Sequence, residues 1–162
     1  MPNSGSNRDT KVNDTEPLEE SESKKPLLTI TAALGAKLNL ADFQNAVPIL
    51  RELSVINDTS ESLAELDLRI ESTPAFLKTR HWHIDSVNAG QNCHISDLDV
   101  QLDGSLLSRL TEAEIATVSL VLRQRGEAGD ELARHEQTVE LLPRNQWGGL
   151  SHLPDMVAAF VQ

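Results

Sequence analysis

Three side chains at alternating positions, His81, His83 and Asp85, are the first candidates for chemistry in this sequence of 162 residues. Residues two apart on a β-strand project from one face, so two imidazoles and a carboxylate would line up as ligands for a divalent transition metal. Cys93 and His94 follow across a short hairpin, but as neighbours on a strand they would point to opposite faces. The set lacks the paired spacing of a closed zinc site. Histidines that face solvent, or bond to neighbouring strands beside a buried Trp82, give the same pattern. No metal ligand is assigned on this basis. A metal-binding or hydrolytic sandwich using His81, His83, Asp85 and the Cys93 region is kept as the alternative function.

Other chemistries find less support. Nucleophilic catalysis needs a Ser or Cys beside a base on an exposed turn; no G-x-S-x-G elbow occurs, and Cys93 falls inside an expected strand as a buried, inert thiol. Gly104-Ser105 and Gly148-Gly149 lack the glycine spacing and the lysine that cradle phosphate. The carboxylates around residue 70 belong to the wet face of a strand. No catalytic residue and no cofactor is expected.

These side chains sit on an alternating, all-β texture. Residues 1–26 are rich in Ser, Asn, Asp, Glu and Lys and too poor in apolar groups to offset chain entropy, so they are expected to form a disordered acidic leader. Residues 27–149 then carry short apolar runs of period two, broken every ten or so residues by turn chemistry. The expected strands centre on 28–32, 49–56, 66–70, 82–87, 93–102, 117–123 and 132–142, with Asn57-Asp58-Thr59-Ser60 and Asn88-Ala89-Gly90-Gln91 as turns. Thr111-Glu112-Ala113-Glu114 has the shape of a capping box, which predicts a helical turn between 106 and 113. The fold expected is an immunoglobulin-like sandwich of two antiparallel sheets. Residues 150–162 form a short C-terminal amphipathic helix capped by Ser151, with Leu153, Met156, Val157, Phe160 and Val161 on one face. It has neither a C-cap glycine nor a basic last turn, as expected of a helix that is truncated or leads into a further domain.

Composition narrows the partners. Aromatics make up 3% of the chain and tyrosine is absent, so Leu, Ile and Val must build the core. A net charge of −11 opposes direct contact with a nucleic-acid backbone by this segment alone. One cysteine excludes an internal disulfide and suits a reducing compartment; no signal-peptide core or membrane-length apolar run occurs, so the expected location is cytoplasmic, without a membrane. Asn13-Asp14-Thr15 and Asn57-Asp58-Thr59 match the glycosylation acceptor pattern and are taken as chance. The string Gln146-Trp147-Gly148-Gly149 fits an aromatic plug before a glycine turn, or a hinge to a following domain.

Several stretches together carry a resemblance. Residues 48–53 (PILREL), 66–70 (LDLRI), 80–85 (RHWHID), 110–114 (LTEAE) and 139–142 (VELL), followed by 145–149 (NQWGG), resemble the N-terminal β-sandwich module of large bacterial superfamily 1 helicase-like proteins, which often carry a very-short-patch-repair-like endonuclease. The similarity spans roughly residues 30 to 162 and includes neither a Walker A lysine nor a nuclease carboxylate cluster. It implies a non-catalytic binding or scaffolding module, part or fragment of a DNA-processing or defence protein, whose partner is a protein or the adjoining helicase domain. The interaction surface it implies comprises Trp147, Leu153, Met156, Val157, Phe160 and Val161.

Overall fold

Alternation of apolar and polar residues sets most of the strands. The computed structural model describes residues 28–125 and 129–146. In chain order these form β1 (Leu28–Leu34), β2 (Lys37–Leu38), α1 (Leu40–Gln44), β3 (Leu50–Asn57), β4 (Leu63–Thr73), β5 (Arg80–Val87), β6 (Asn92–His94), α2 (Gly104–Leu107), β7 (Glu114–Gln124) and β8 (Glu131–Leu141). Two sheets result, one ordered β1-β3-β6 and the other β2-β8-β7-β4-β5. Leu66, Leu68 and Ile70 on β4 and Val118, Leu120 and Leu122 on β7 point into one core shared with Leu28, Ile30, Leu53 and Val55 of the smaller sheet. The chain is therefore all-β with two sheets. The acidic leader, Trp147 and the amphipathic segment with Leu153, Met156, Val157, Phe160 and Val161 lie outside the described residues.

The pairing departs from the expectation in three places. β2 runs parallel to β8, Lys37 beside Glu140 and Leu38 beside Leu141, so the sheets are not purely antiparallel. The Lys37 ammonium meets the Glu140 carboxylate at 2.8 Å, and Leu38 is buried. Since β1 pairs with β3, the first extended stretch crosses from one sheet to the other within a few residues. Second, the capping box at 111–114 does not open a helix: Glu114 starts β7 and pairs with Leu141. The helical turn comes earlier, where Asp103 caps α2 by accepting the Ser105 N–H at 2.8 Å. A reciprocal box does form at α1, where Asn39 accepts from the Asp42 N–H and Asp42 from the Asn39 N–H.

The third departure matters most for function. The strand expected over 93–102 is divided between the two sheets. Asn92–His94 pair with Ser54–Ile56 as β6, whereas the following chain crosses to the outer edge of β5. There it keeps one antiparallel register with the run before and into β5. The Asp103 N–H donates to the Phe76 carbonyl, Leu77 bridges Leu102, and the Lys78 N–H donates to the Gln101 carbonyl at 2.8 Å. Beyond that point side chains replace the ladder. The Arg80 guanidinium donates to the Asp99 carbonyl, and the Trp82 indole N–H donates to the Asp97 carbonyl at 2.7 Å. The segment runs along the outer edge of β5 without forming a regular strand, hooked rather than zipped to the sheet.

Asn57 holds the two sheets together at their opposite end. It is fully buried, and its amide nitrogen donates to the Glu61 carbonyl at 2.8 Å and to the Val87 carbonyl, at the end of β5, at 2.9 Å. Its carbonyl oxygen accepts from the Thr59 N–H and hydroxyl. The amide nitrogen that the Asn57-Asp58-Thr59 pattern would offer for glycosylation is thus engaged inside the fold.

Candidate binding groove

The residues weighed as metal ligands are divided between the two sheets. His81 and His83 do share the solvent face of β5, but their Nδ1 atoms turn to Asp67 on β4, at 2.8 Å from Oδ2 and 3.2 Å from Oδ1. The first contact is an aligned hydrogen bond; the second is not, and buried Oδ1 is left without one. Asp85 is exposed on the same strand. Cys93 and His94 sit in the other sheet, opposite Val55 and Ser54, and His94 Nδ1 contacts the Ser54 hydroxyl at 3.1 Å. Cys93 is partly buried rather than fully enclosed. Among the described residues no three His, Cys, Asp or Glu side chains are placed to hold a metal ion. Asp67 is also not the free solvated carboxylate expected of a wet strand face.

The concave feature lies elsewhere. An open groove of about 830 Å³ runs between α1, the loop after it and the start of β3 on one side, and the splayed segment 97–102 on the other. Phe43, Ala46, Val47, Pro48 and Leu50 form one wall, and Leu98, Val100 and Leu102 the other. Asp42, Arg51, Lys78, Asp97, Asp99 and Gln101 supply the polar lining. Along 97–102 the burial alternates: Leu98, Val100 and Leu102 are half-buried while Asp97, Asp99 and Gln101 are exposed. A smaller hollow of about 310 Å³ opens between residues 78–80 and 99–101, where the segment splays from the sheet.

Both walls are held by neighbouring side chains. Arg80 ties the second by pairing with the Asp97 carboxylate, and its guanidinium lies 5.0 Å from the centroid of the Trp82 ring. The Lys78 ammonium donates to the Gln101 side chain at 3.1 Å. In the first wall Phe43, one of two large apolar side chains exposed among the described residues, rests on Gly104 of α2. A Cβ on Gly104 would lie 2.3 Å from the Phe43 ring. Gly104→Ala is therefore expected to swing the exposed Phe43 ring away at little net cost in stability, because the ring can give way and alanine is the better helix residue. Urea unfolding, together with the side-chain NMR signals of Phe43, checks this; an unmoved ring would contradict it.

Charge–charge and hydrogen-bond contacts hold three carboxyls below their ordinary range. Arg80 and then the Asp99 N–H do so for Asp97, the Ser105 hydrogen bonds for Asp103, and Arg134 for Glu131. A carboxyl whose pKa is depressed by folding contributes stability that is complete above its unfolded pKa and is lost as pH falls through the folded one. The denaturation midpoint should therefore hold level from neutral pH to just above the ordinary carboxylate values of 3.8 and 4.5, then fall. Asp97→Asn should make that fall shallower. All three groups face solvent, so the effect should be modest and should shrink in salt.

None of the groove residues forms a sequence motif. Its walls come from positions about fifty residues apart in the chain, and the only local signals were the alternation over 97–102 and the Asn39–Asp42 box that starts α1. Among the described residues, no helix is long and apolar enough to cross a membrane. No family model matches the chain, and no curated protein matches it.

Proposed function

We propose that the chain is a non-catalytic binding module whose groove, between residues 42–51 and 97–102, receives an apolar segment of a protein partner. The observation that carries this reading is the groove itself, which sets a largely apolar floor inside a polar rim on a rigid two-sheet frame. The candidates for catalysis lend the rival reading little support, because His81 and His83 are turned to Asp67 and Cys93 and His94 stand in the other sheet.

An immunoglobulin-like sandwich is the architecture we propose, supported by the strand order. β1-β3-β6 follows the A-B-E order of such domains, and β8-β7-β4-β5 follows G-F-C-C′, with β2 as a short first-strand continuation beside β8. A place at the N-terminus of a helicase-like DNA-processing or defence protein rests on the resemblance of residues 48–53, 66–70, 80–85, 110–114 and 139–149 alone. A genomic reading frame that continues past Gln162 into a helicase core would support that placement; a stop codon there, with no helicase gene adjacent, would overturn it.

Groove binding is tested by titrating the isotope-labelled full chain with peptides of about eight residues that alternate valine with lysine, glutamate or serine. Amide shifts concentrated at 42–51 and 97–102 are expected with at least one of them. Absence of such shifts with all three sinks the reading.

A further inference from the structure

We infer that the groove captures its partner by strand addition to the outer edge of residues 97–101, and that the partner segment alternates apolar with basic residues. The inference rests on the groove-binding reading above and specifies its mode and its ligand.

The edge follows from where the carbonyls go. In an extended chain the N–H and C=O of one residue point to the same side, and those of the next residue to the opposite side. The carbonyls of Asp97, Asp99 and Gln101 are all taken on the β5 side, by Trp82, Arg80 and Lys78. The backbone groups of the intervening Leu98 and Val100 then face away from the sheet and along the groove. Among the described residues, nothing bonds to the N–H or C=O of either one. An apolar groove bordered by unpaired extended backbone is what a peptide strand requires: main-chain bonds supply affinity, and alternate side chains enter the groove.

Charge selects the remaining side chains. A strand laid beside 97–101 places every second residue on the solvent face, next to Asp97 and Asp99, which follow each other at roughly 6.5–7 Å, the two-residue repeat of an extended chain. The rim adds Asp42, against Lys78 and Arg51, and the chain as a whole carries −11. Arg80 already pairs with Asp97 and the Asp42 carboxylate already accepts from the Asn39 N–H, so Asp99 is the carboxylate best positioned to meet an incoming cation. Lysine or arginine at alternating positions complements this rim, and glutamate opposes it.

The test compares the valine–lysine peptide with its valine–glutamate counterpart, and both with a valine–lysine peptide N-methylated at alternate residues. Fluorescence anisotropy on the full chain should give at least about tenfold tighter binding for valine–lysine than for valine–glutamate in about 0.02 M salt, narrowing in about 0.5 M. N-methylation, which deletes ladder donors from the ligand, should weaken binding by about tenfold or more. Val100→Pro deletes the outward N–H while leaving the carbonyls used by Lys78, Arg80 and Trp82, and should weaken it similarly. Asp99→Lys should reverse the charge preference. Groove shifts that persist unchanged under N-methylation and Val100→Pro would overturn strand addition while leaving groove binding intact. Equal binding of the lysine and glutamate peptides would overturn the charge selection. If no peptide shifts the groove at all, the parent reading fails, and this inference with it.

Discussion

Trp82→Ala is expected to remove about 3–5 kcal/mol of stability, the range for truncating a buried aromatic. That is a large share of the roughly 5–15 kcal/mol that holds an ordinary domain together. The ring is 6% exposed and belongs to the common core, so most of the loss is burial and cavity. The rest is particular to this site. The indole N–H is one of three hooks holding the splayed segment to β5, and the ring underlies the Arg80 guanidinium that supplies another. Trp82→Phe separates the two contributions. It keeps much of the buried area, deletes the bond to the Asp97 carbonyl, and should cost about 1–2 kcal/mol. Peptide affinity in the groove should fall further than so small a loss of stability would suggest, because the wall carrying Leu98 and Val100 loses an anchor. Urea unfolding of both variants, with backbone amide relaxation at residues 97–101 compared with that of the wild type, measures this. Relaxation at 97–101 in Trp82→Phe unchanged from the wild type would show that the hook does not hold the wall.

The strands that were plain in the sequence are those whose two faces meet different surroundings along their whole length. Leu66, Leu68 and Ile70 on β4, and Val118, Leu120 and Leu122 on β7, are core-facing in central strands, and there alternation and ladder coincide. Over 95–102 they part. The alternation of Leu98, Val100 and Leu102 is real, because one face of the segment is half-buried, but burial pattern carries no information about what bonds the edge. Hooking by Arg80 and Trp82 leaves the same trace in sequence as a regular ladder. β2 could not have been seen at all, since two residues cannot alternate and their partner lies about a hundred positions away. The boxes at Asn39–Asp42 and Thr111–Glu114 look alike; the second was overruled by the long pairing of β7 with β8, which claims Glu114 as its first residue. The surroundings of the site candidates were hidden for a related reason. His81 and His83 share a face as their spacing requires, but a carboxylate on the adjacent strand, invisible to spacing within β5, bonds the first imidazole and lies 3.2 Å from the second.

Asn57→Asp is expected to destabilise the fold by about 3–5 kcal/mol, although the two side chains are nearly identical in shape. The amide nitrogen donates to two carbonyls, those of Glu61 and Val87, and aspartate replaces it with an oxygen facing both. Two bonds are lost, the one to the Val87 carbonyl in a buried setting, and an ionised group is set among acceptors at a position with no solvent exposure. The charge leaves a signature. A carboxyl so placed ionises with difficulty, so its folded pKa must rise above the unfolded value of about 3.9. Such a group destabilises the fold fully above its folded pKa, and that part of the penalty disappears as pH falls toward the unfolded one. The gap in stability between wild type and variant should therefore narrow in mild acid, where the protonated carboxyl can also donate once to one carbonyl. Asn57→Ala, which deletes the bonds without adding a charge, should show a gap that does not change with pH. Denaturation midpoints for the three proteins between about pH 4 and pH 8 decide it. A pH-independent gap for Asn57→Asp would mean the site admits water. Because Asn57 links the end of β3 to the end of β5, the effect belongs to the joint between the sheets, and resonances from both sheets should broaden together in the variant.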